Sequence, residues 1–137
     1  LDKNKISPDG DLDKMPRTLR KQSEVQKLET TVKIKEANNG LEIEINMSGT
    51  EGVPVSLELI FRAGGLFSGV TKLPTKENAY LFSGEKGSYS VGSDSINFSS
   101  GLVEHKNIQL RGALPAMDAP TVYLTGFTPF RHIIKLS

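Results

Sequence analysis

An all-β fold, an antiparallel two-sheet β-sandwich or jelly roll behind an extended N-terminal arm, is what three features of this 137-residue sequence predict. Short segments of alternating apolar and polar residues recur from Glu29 onward. Gly, Asn, Ser and Pro punctuate them, so that roughly nine strands fit into about 108 residues, a sandwich density. No period of 20–50 residues repeats, which argues against a solenoid or propeller. A small barrel is the alternative closure.

The arm comes first. Leu1 to about Arg20 combines Pro8, Asp9-Gly10, Pro16 and scattered charges with no hydrophobic period, the texture of a linker. From Thr18 to Leu28 a short helix has only Leu19, Val25 and Leu28 to offer as an apolar stripe, too sparse to pack well. The expected division is a polar arm over residues 1–28 and a sandwich over 29–137. A chain opening on Leu1 rather than Met reads as a processed chain or an excised module.

The strands follow in order. Val32 and Ile34 alternate with Lys33 and Lys35; then come Asn38-Asn39-Gly40, and Leu41, Ile43, Ile45 and Met47 alternating with Glu42, Glu44 and Asn46. Taking Asn39-Gly40 as a type I′ turn, with φ > 0 at both positions, sets Ile34 opposite Ile45 and Lys35 opposite Glu44. One face is then apolar and the other carries opposite charges. Val53, Val55, Leu57, Leu59 and Phe61 form the longest clean alternation, closed by Gly64-Gly65, with Pro54 placed where a strand start or an edge tolerates it. Leu66–Leu73 reads as a strand ended by Pro74, and Ala79–Phe82 as another. Tyr89 and Val91 are expected to face Phe98 and Ile96 across the loop Gly92–Ser95. Val103–Leu110 is a weaker segment, and Thr121–Phe127 and Phe130–Leu136 complete the set around Thr128-Pro129.

Composition narrows the function classes. Hydrophobic residues at 36% and charged residues at 24% suit a water-exposed globule, and no apolar run approaches the roughly 20 residues that span a bilayer. A net charge of +1 gives no electrostatic case for nucleic acid. Absence of cysteine excludes disulfides, thiol catalysis and Cys-ligated zinc, and two histidines, His105 and His132, make a poor metal site. No cofactor is expected.

Motifs for chemistry fail on spacing. Asp9-Gly10-Asp11-Leu12-Asp13 resembles the start of a calcium loop, but an EF-hand counted from Asp9 has Lys14 where Gly belongs and Arg20 where a bidentate Glu belongs. Gly84-Glu85-Lys86-Gly87-Ser88 lacks the phosphate-loop spacing and reads as a turn. Ser68-Gly69 and Ser99-Ser100-Gly101 lack the nucleophile elbow. Asn46-Met47-Ser48 and Asn97-Phe98-Ser99 fit a glycosylation triplet that arises often by chance. Glu58, Glu104, His105, Asp118 and His132 are the acid–base candidates, yet nothing in their spacing brings two together. Glu104 and His105 are neighbours, and neighbours on a strand point to opposite faces.

Aromatic platforms are the more natural chemistry for a small sandwich, because sugar rings stack on flat side chains. Tyr80, Tyr89, Tyr123 and Phe127 are the candidate glycan contacts, with Arg111 or Arg131 as polar partners; core packing is the competing role. The stretches Gly52–Gly65, Leu110-Arg111-Gly112-Ala113-Leu114-Pro115 and Tyr123-Leu124-Thr125-Gly126-Phe127-Thr128-Pro129-Phe130 resemble, in texture over about 85 residues, the C-terminal β-sandwich modules of bacterial polysaccharide lyases and related carbohydrate-active proteins, heparinase II/III-like ones included. That resemblance implies a secreted or periplasmic accessory domain whose arm joins it to a preceding catalytic domain, and none of those lyases' catalytic residues maps onto this chain. The first expectation is therefore a noncatalytic domain that packs on a neighbouring domain or chain and contacts polysaccharide. Two alternatives stand beside it: an enzyme fragment lending His105 and Arg111 to a shared active site, and a structural or adhesive envelope module.

Overall fold

The computed structural model describes residues 26–108 and 118–137. The arm up to residue 25, with its Asp9–Asp13 stretch and most of the Thr18–Leu28 segment, lies outside them, as does Arg111. The described residues contain no helix, and therefore none long and apolar enough to cross a membrane.

Among the described residues ten strands build two packed sheets, the expected sandwich. They are β1 (Leu28–Ala37), β2 (Gly40–Gly49), β3 (Pro54–Ile60), β4 (Leu66–Ser68), β5 (Thr71–Lys72), β6 (Ala79–Leu81), β7 (Gly87–Val91), β8 (Asp94–Ser99), β9 (Thr121–Phe127) and β10 (Phe130–Leu136). The larger sheet runs β1-β2-β10-β8-β7-β4 and the smaller β3-β9-β6-β5, with β6 parallel to β9.

The first hairpin turns one residue earlier than expected, and the second is tighter than expected. The first turn is Asn38-Asn39, with Ala37 paired to Gly40, so Val32 faces Ile45, Ile34 faces Ile43, Lys33 faces Glu44 and Lys35 faces Glu42. Asn39 carries the positive φ, 65°, which a short polar side chain tolerates. Gly40 is glycine for another reason: a Cβ there would stand 1.7 Å from the Leu136 carbonyl oxygen of β10. In the second hairpin Gly92-Ser93 makes the turn, Tyr89 faces Ile96, and Phe98 faces Gly87 rather than Tyr89. A Cβ on Gly87 would meet the Phe98 ring at 2.2 Å. Each register is offset by two residues from expectation, which preserves the faces and changes the partners.

Leu66–Leu73 is two short strands in different sheets rather than one. Gly69, at φ 75° and backed against the Lys86 carbonyl oxygen, turns the chain between them. In the described part of the expected Val103–Leu110 segment, residues 103–108, Val103 makes a single parallel bridge to Thr125 instead of a strand.

The core lies between the sheets. Val55 of β3 and Val122 and Leu124 of β9 pack with Ile45, Met47, Tyr89, Phe98, Phe130 and Ile134 of the larger sheet and with Phe82. Burying each such side chain contributes roughly 1.5–3 kcal/mol. A second cluster, Leu73, Ala79, Leu81, Ile108 and Tyr123, occupies the other face of the smaller sheet. Buried on both faces, β9 has no alternation to show: Thr121–Gly126 are all buried.

Candidate functional site

Two polar regions emerge from this frame. The first is a rim where the segment following Leu102 crosses the outer face of β9. Thr125, fully buried, donates its hydroxyl to the His105 carbonyl oxygen at 2.5 Å and accepts the His105 N–H at 3.2 Å. The Glu104 N–H reaches the Thr125 carbonyl oxygen at 3.1 Å, and the Glu104 carboxylate accepts the Phe127 N–H at 3.1 Å.

From there His105 points Nε2 at two carbonyl oxygens, Val55 at 3.1 Å and Gly126 at 3.0 Å. Val55 and Gly126 are paired across β3 and β9. Two acceptors around one nitrogen require Nε2 to carry the proton. The buried Nδ1 has no hydrogen-bond partner. Phe127, 42% exposed, stacks edge-on against the imidazole with ring centroids 5.0 Å apart. His105 therefore clips a loop to a strand pair. Its donating nitrogen is engaged by backbone, and no carboxylate or hydroxyl is placed on the other.

The tyrosines divide by depth. Tyr89 is buried, its hydroxyl donating to the Arg62 carbonyl oxygen and accepting the Gly65 N–H at 2.8 Å, with its ring against Phe61 and Phe67. Tyr123 is 2% exposed, and its hydroxyl accepts a hydrogen bond from Lys76 at 3.2 Å. Tyr80 is half-buried against Phe67, ring centroids 4.6 Å apart. The structure brings His105 and Phe127 together and holds Tyr80, Tyr89 and Tyr123 in packing roles away from them. Among the described residues no three acidic or histidine side chains are grouped to hold a metal. His132, the other histidine, places Nε2 2.7 Å from the Ser100 carbonyl oxygen.

The second region lies on the outward face of the larger sheet, and the register alone builds it. Lys35 pairs with Glu42, Glu42 with Lys135, and Lys135 with Ser99, a row across β1, β2, β10 and β8. Lys86 immediately precedes Gly87, the partner of Phe98, so it extends the row past Ser99. Lys86, Asn97, Ser99 and Lys135, with Phe98 and Ser137, line a cavity of about 330 Å³. The Lys135 side chain is 67% exposed and its amino group lies 3.9 Å from the Glu42 carboxylate, a loose pair. Two rows away Arg131 holds Glu44 more closely, Nη2 at 2.9 Å and Nε at 3.0 Å from the same oxygen.

This arrangement presents ammonium groups, an amide and a hydroxyl at the mouth of a shallow cavity. It can receive a carboxylate, sulfate or phosphate group without chemistry. Sequence reasoning passed over Lys86, Asn97, Ser99 and Lys135 because nothing local links residues that β8 and β10 bring together across nearly 40 positions. Compared with known proteins, the chain matches no family model, no curated protein and no solved structure.

Proposed function

We propose that the chain is a noncatalytic accessory module of a carbohydrate-active protein, secreted or periplasmic, which packs on a neighbouring domain or chain and contacts an acidic polysaccharide. The observation that carries the glycan half is the cavity lined by Lys86, Asn97, Ser99 and Lys135. Its volume falls at the low end for ligand sites, about 300–1,000 Å³, the scale of one sugar unit. Ammonium groups select for anionic substituents, and the amide and hydroxyl satisfy ring hydroxyls. The noncatalytic half is supported by how the reactive side chains are spent: His105 on two carbonyl oxygens and the Tyr89 hydroxyl on backbone. The packing half is supported by Leu28, Val32 and Ile34, 52–64% exposed on the inward face of β1 where the smaller sheet does not reach.

Isothermal titration against uronate-rich, sulfated and neutral polysaccharides tests the reading. Binding is expected for the acidic chains, weakening with salt. The double substitution Lys86→Ser and Lys135→Ser removes two exposed charge contacts of about 0.2–1 kcal/mol each, a loss of several-fold in affinity. No heat with any acidic polysaccharide, or equal affinity in the double variant, rejects the glycan contact.

A further inference from the structure

β1 is a ten-residue strand at the margin of the larger sheet, every residue of it exposed, and among the described residues only β2 pairs with it. Its free edge is unusually inviting. Because Ala37 and Gly40 close a two-residue turn, the odd-numbered residues of β1 bond to β2; the same parity appears past the strand's start, where the Thr50 N–H donates to the Lys27 carbonyl oxygen at 3.0 Å. Leu28, Thr30, Val32 and Ile34 thus aim their N–H and C=O groups outward. Natural edges are blunted by proline, by bulges or by charges pointing inward. Over residues 28–34 β1 has none of these: its inward face there carries Leu28, Thr30, Val32 and Ile34, the inward charge Glu36 lies beyond them at the turn end of the strand, and Lys33 and Lys35 sit on the outward face opposite Glu44 and Glu42.

We propose that this edge pairs with β1 of a second copy of the chain, antiparallel about a two-fold axis through Thr31, joining two six-stranded sheets into one. Residues 28–34 are self-complementary in that register. Leu28 falls opposite the second copy's Ile34, Thr30 opposite Val32, Thr31 opposite Thr31, and Glu29 opposite Lys33. Within residues 28–34 every apolar side chain meets an apolar residue or threonine and both charges meet their opposites, twice over by symmetry; outside that stretch Lys35 falls opposite Lys27 at the exposed ends of the junction. The narrow, hydrogen-bonded pairs of the junction are the even-numbered ones, which are those whose backbone groups face outward. Two apolar strips of Leu28, Val32 and Ile34 then lie side by side. The proposal rests on the packing half of the function above and names the partner there as a second copy. It is independent of the glycan half, which titration reports separately.

Strand addition alone is a small interface, at the low end of about 1,200 Å² of total buried surface, so association is expected in the micromolar range. Sedimentation equilibrium of the full chain across that range is the measurement. Val32→Pro removes an outward N–H without touching the β2 ladder and should abolish dimerisation. Glu29→Lys and Lys33→Glu, each on an exposed residue, turn both cross-copy pairs repulsive and should each weaken self-association by about tenfold. Mixed in equal amounts, those two variants restore attraction at both pairs and should form a heterodimer of wild-type affinity. This mixture also tests the register if Val32→Pro fails to fold. A monomer at all concentrations, as when residues 1–25 or another segment covers the edge, overturns the proposal. So does a dimer indifferent to all three substitutions, or a mixture no tighter than its components.

Discussion

Thr125→Val separates hydrogen bonding from packing at the point where the loop after Leu102 is fixed to β9. Thr125 is fully buried, and valine has nearly its shape, so no cavity forms. On burial alone the substitution should be neutral or stabilising. The hydroxyl, however, serves both backbone groups of His105: it donates to the carbonyl oxygen at 2.5 Å and accepts the N–H at 3.2 Å. Valine leaves both without that partner. An unsatisfied buried group costs about 1–3 kcal/mol, and the low end applies because His105 is only partly buried, giving a loss of about 2–3 kcal/mol. For a domain of this size that corresponds to a fall in Tm of about 10 °C or more. Urea unfolding followed by far-UV circular dichroism and tyrosine fluorescence measures it, since the chain has no tryptophan. Thr125→Ser is the control: it keeps the hydroxyl and loses one methyl group, about 1 kcal/mol. The expected order is wild type, then serine, then valine. A valine variant as stable as wild type, or more stable than the serine variant, would show that the His105 clip contributes nothing and refute the reasoning.

Other perturbations follow from single contacts. Phe98, 1% exposed with Phe82 edge-on at 5.0 Å and Phe61 at 5.7 Å, should cost about 3–5 kcal/mol as Phe98→Ala; a denaturation midpoint within experimental error of wild type would contradict its place at the centre of the core. At the first turn, Asn39→Ala puts a Cβ-bearing residue without a polar side chain at φ 65° and should cost about 1–2 kcal/mol, while Asn39→Gly should be neutral within a few tenths. Equal stabilities for the two variants, read by thermal unfolding, would argue that the turn is not strained at Asn39.

The faces of the strands were legible in the sequence and their partners were not, and the two hairpins show why. Alternation fixes which side chains point inward, so Val32, Ile34, Ile43 and Ile45 share a face whatever the register. The offset depends on the turn, and there glycine is ambiguous. At Gly40 it reads as half of an Asn-Gly turn, but the constraint is the Leu136 carbonyl oxygen of a strand about 95 residues away. At Gly87 the constraint is the Phe98 ring. Gly69 misled in the opposite sense, its positive φ dividing one apparent strand between two sheets. The candidate site suffered most, because its members depend on strand order. β10 lies between β2 and β8, and no local pattern announces that neighbour, so Lys135 and Ser99 could not be joined from sequence.

Sheet mismatch explains where function can reside in this fold. A four-stranded sheet cannot cover a six-stranded one, so the strand farthest from the overlap keeps its inward apolar residues exposed, as β1 does with Leu28, Val32 and Ile34. The smaller sheet has the opposite problem. Val103 and Ile108 lie over its outer face, and β9 is enclosed on both sides, which turns Tyr123 and Thr125 into structural residues and removes a broad surface from contact with ligands. Among the described residues, the charged outward face of the larger sheet and the edge of β1 remain open. The first has the polarity to hold an anionic ligand and lacks the flat aromatic rings that would grip a neutral one. The second has backbone groups and apolar side chains, which suit a strand rather than a sugar. The proposed glycan contact and the proposed self-association would therefore use separate surfaces of the larger sheet, and neither would require the other to be lost.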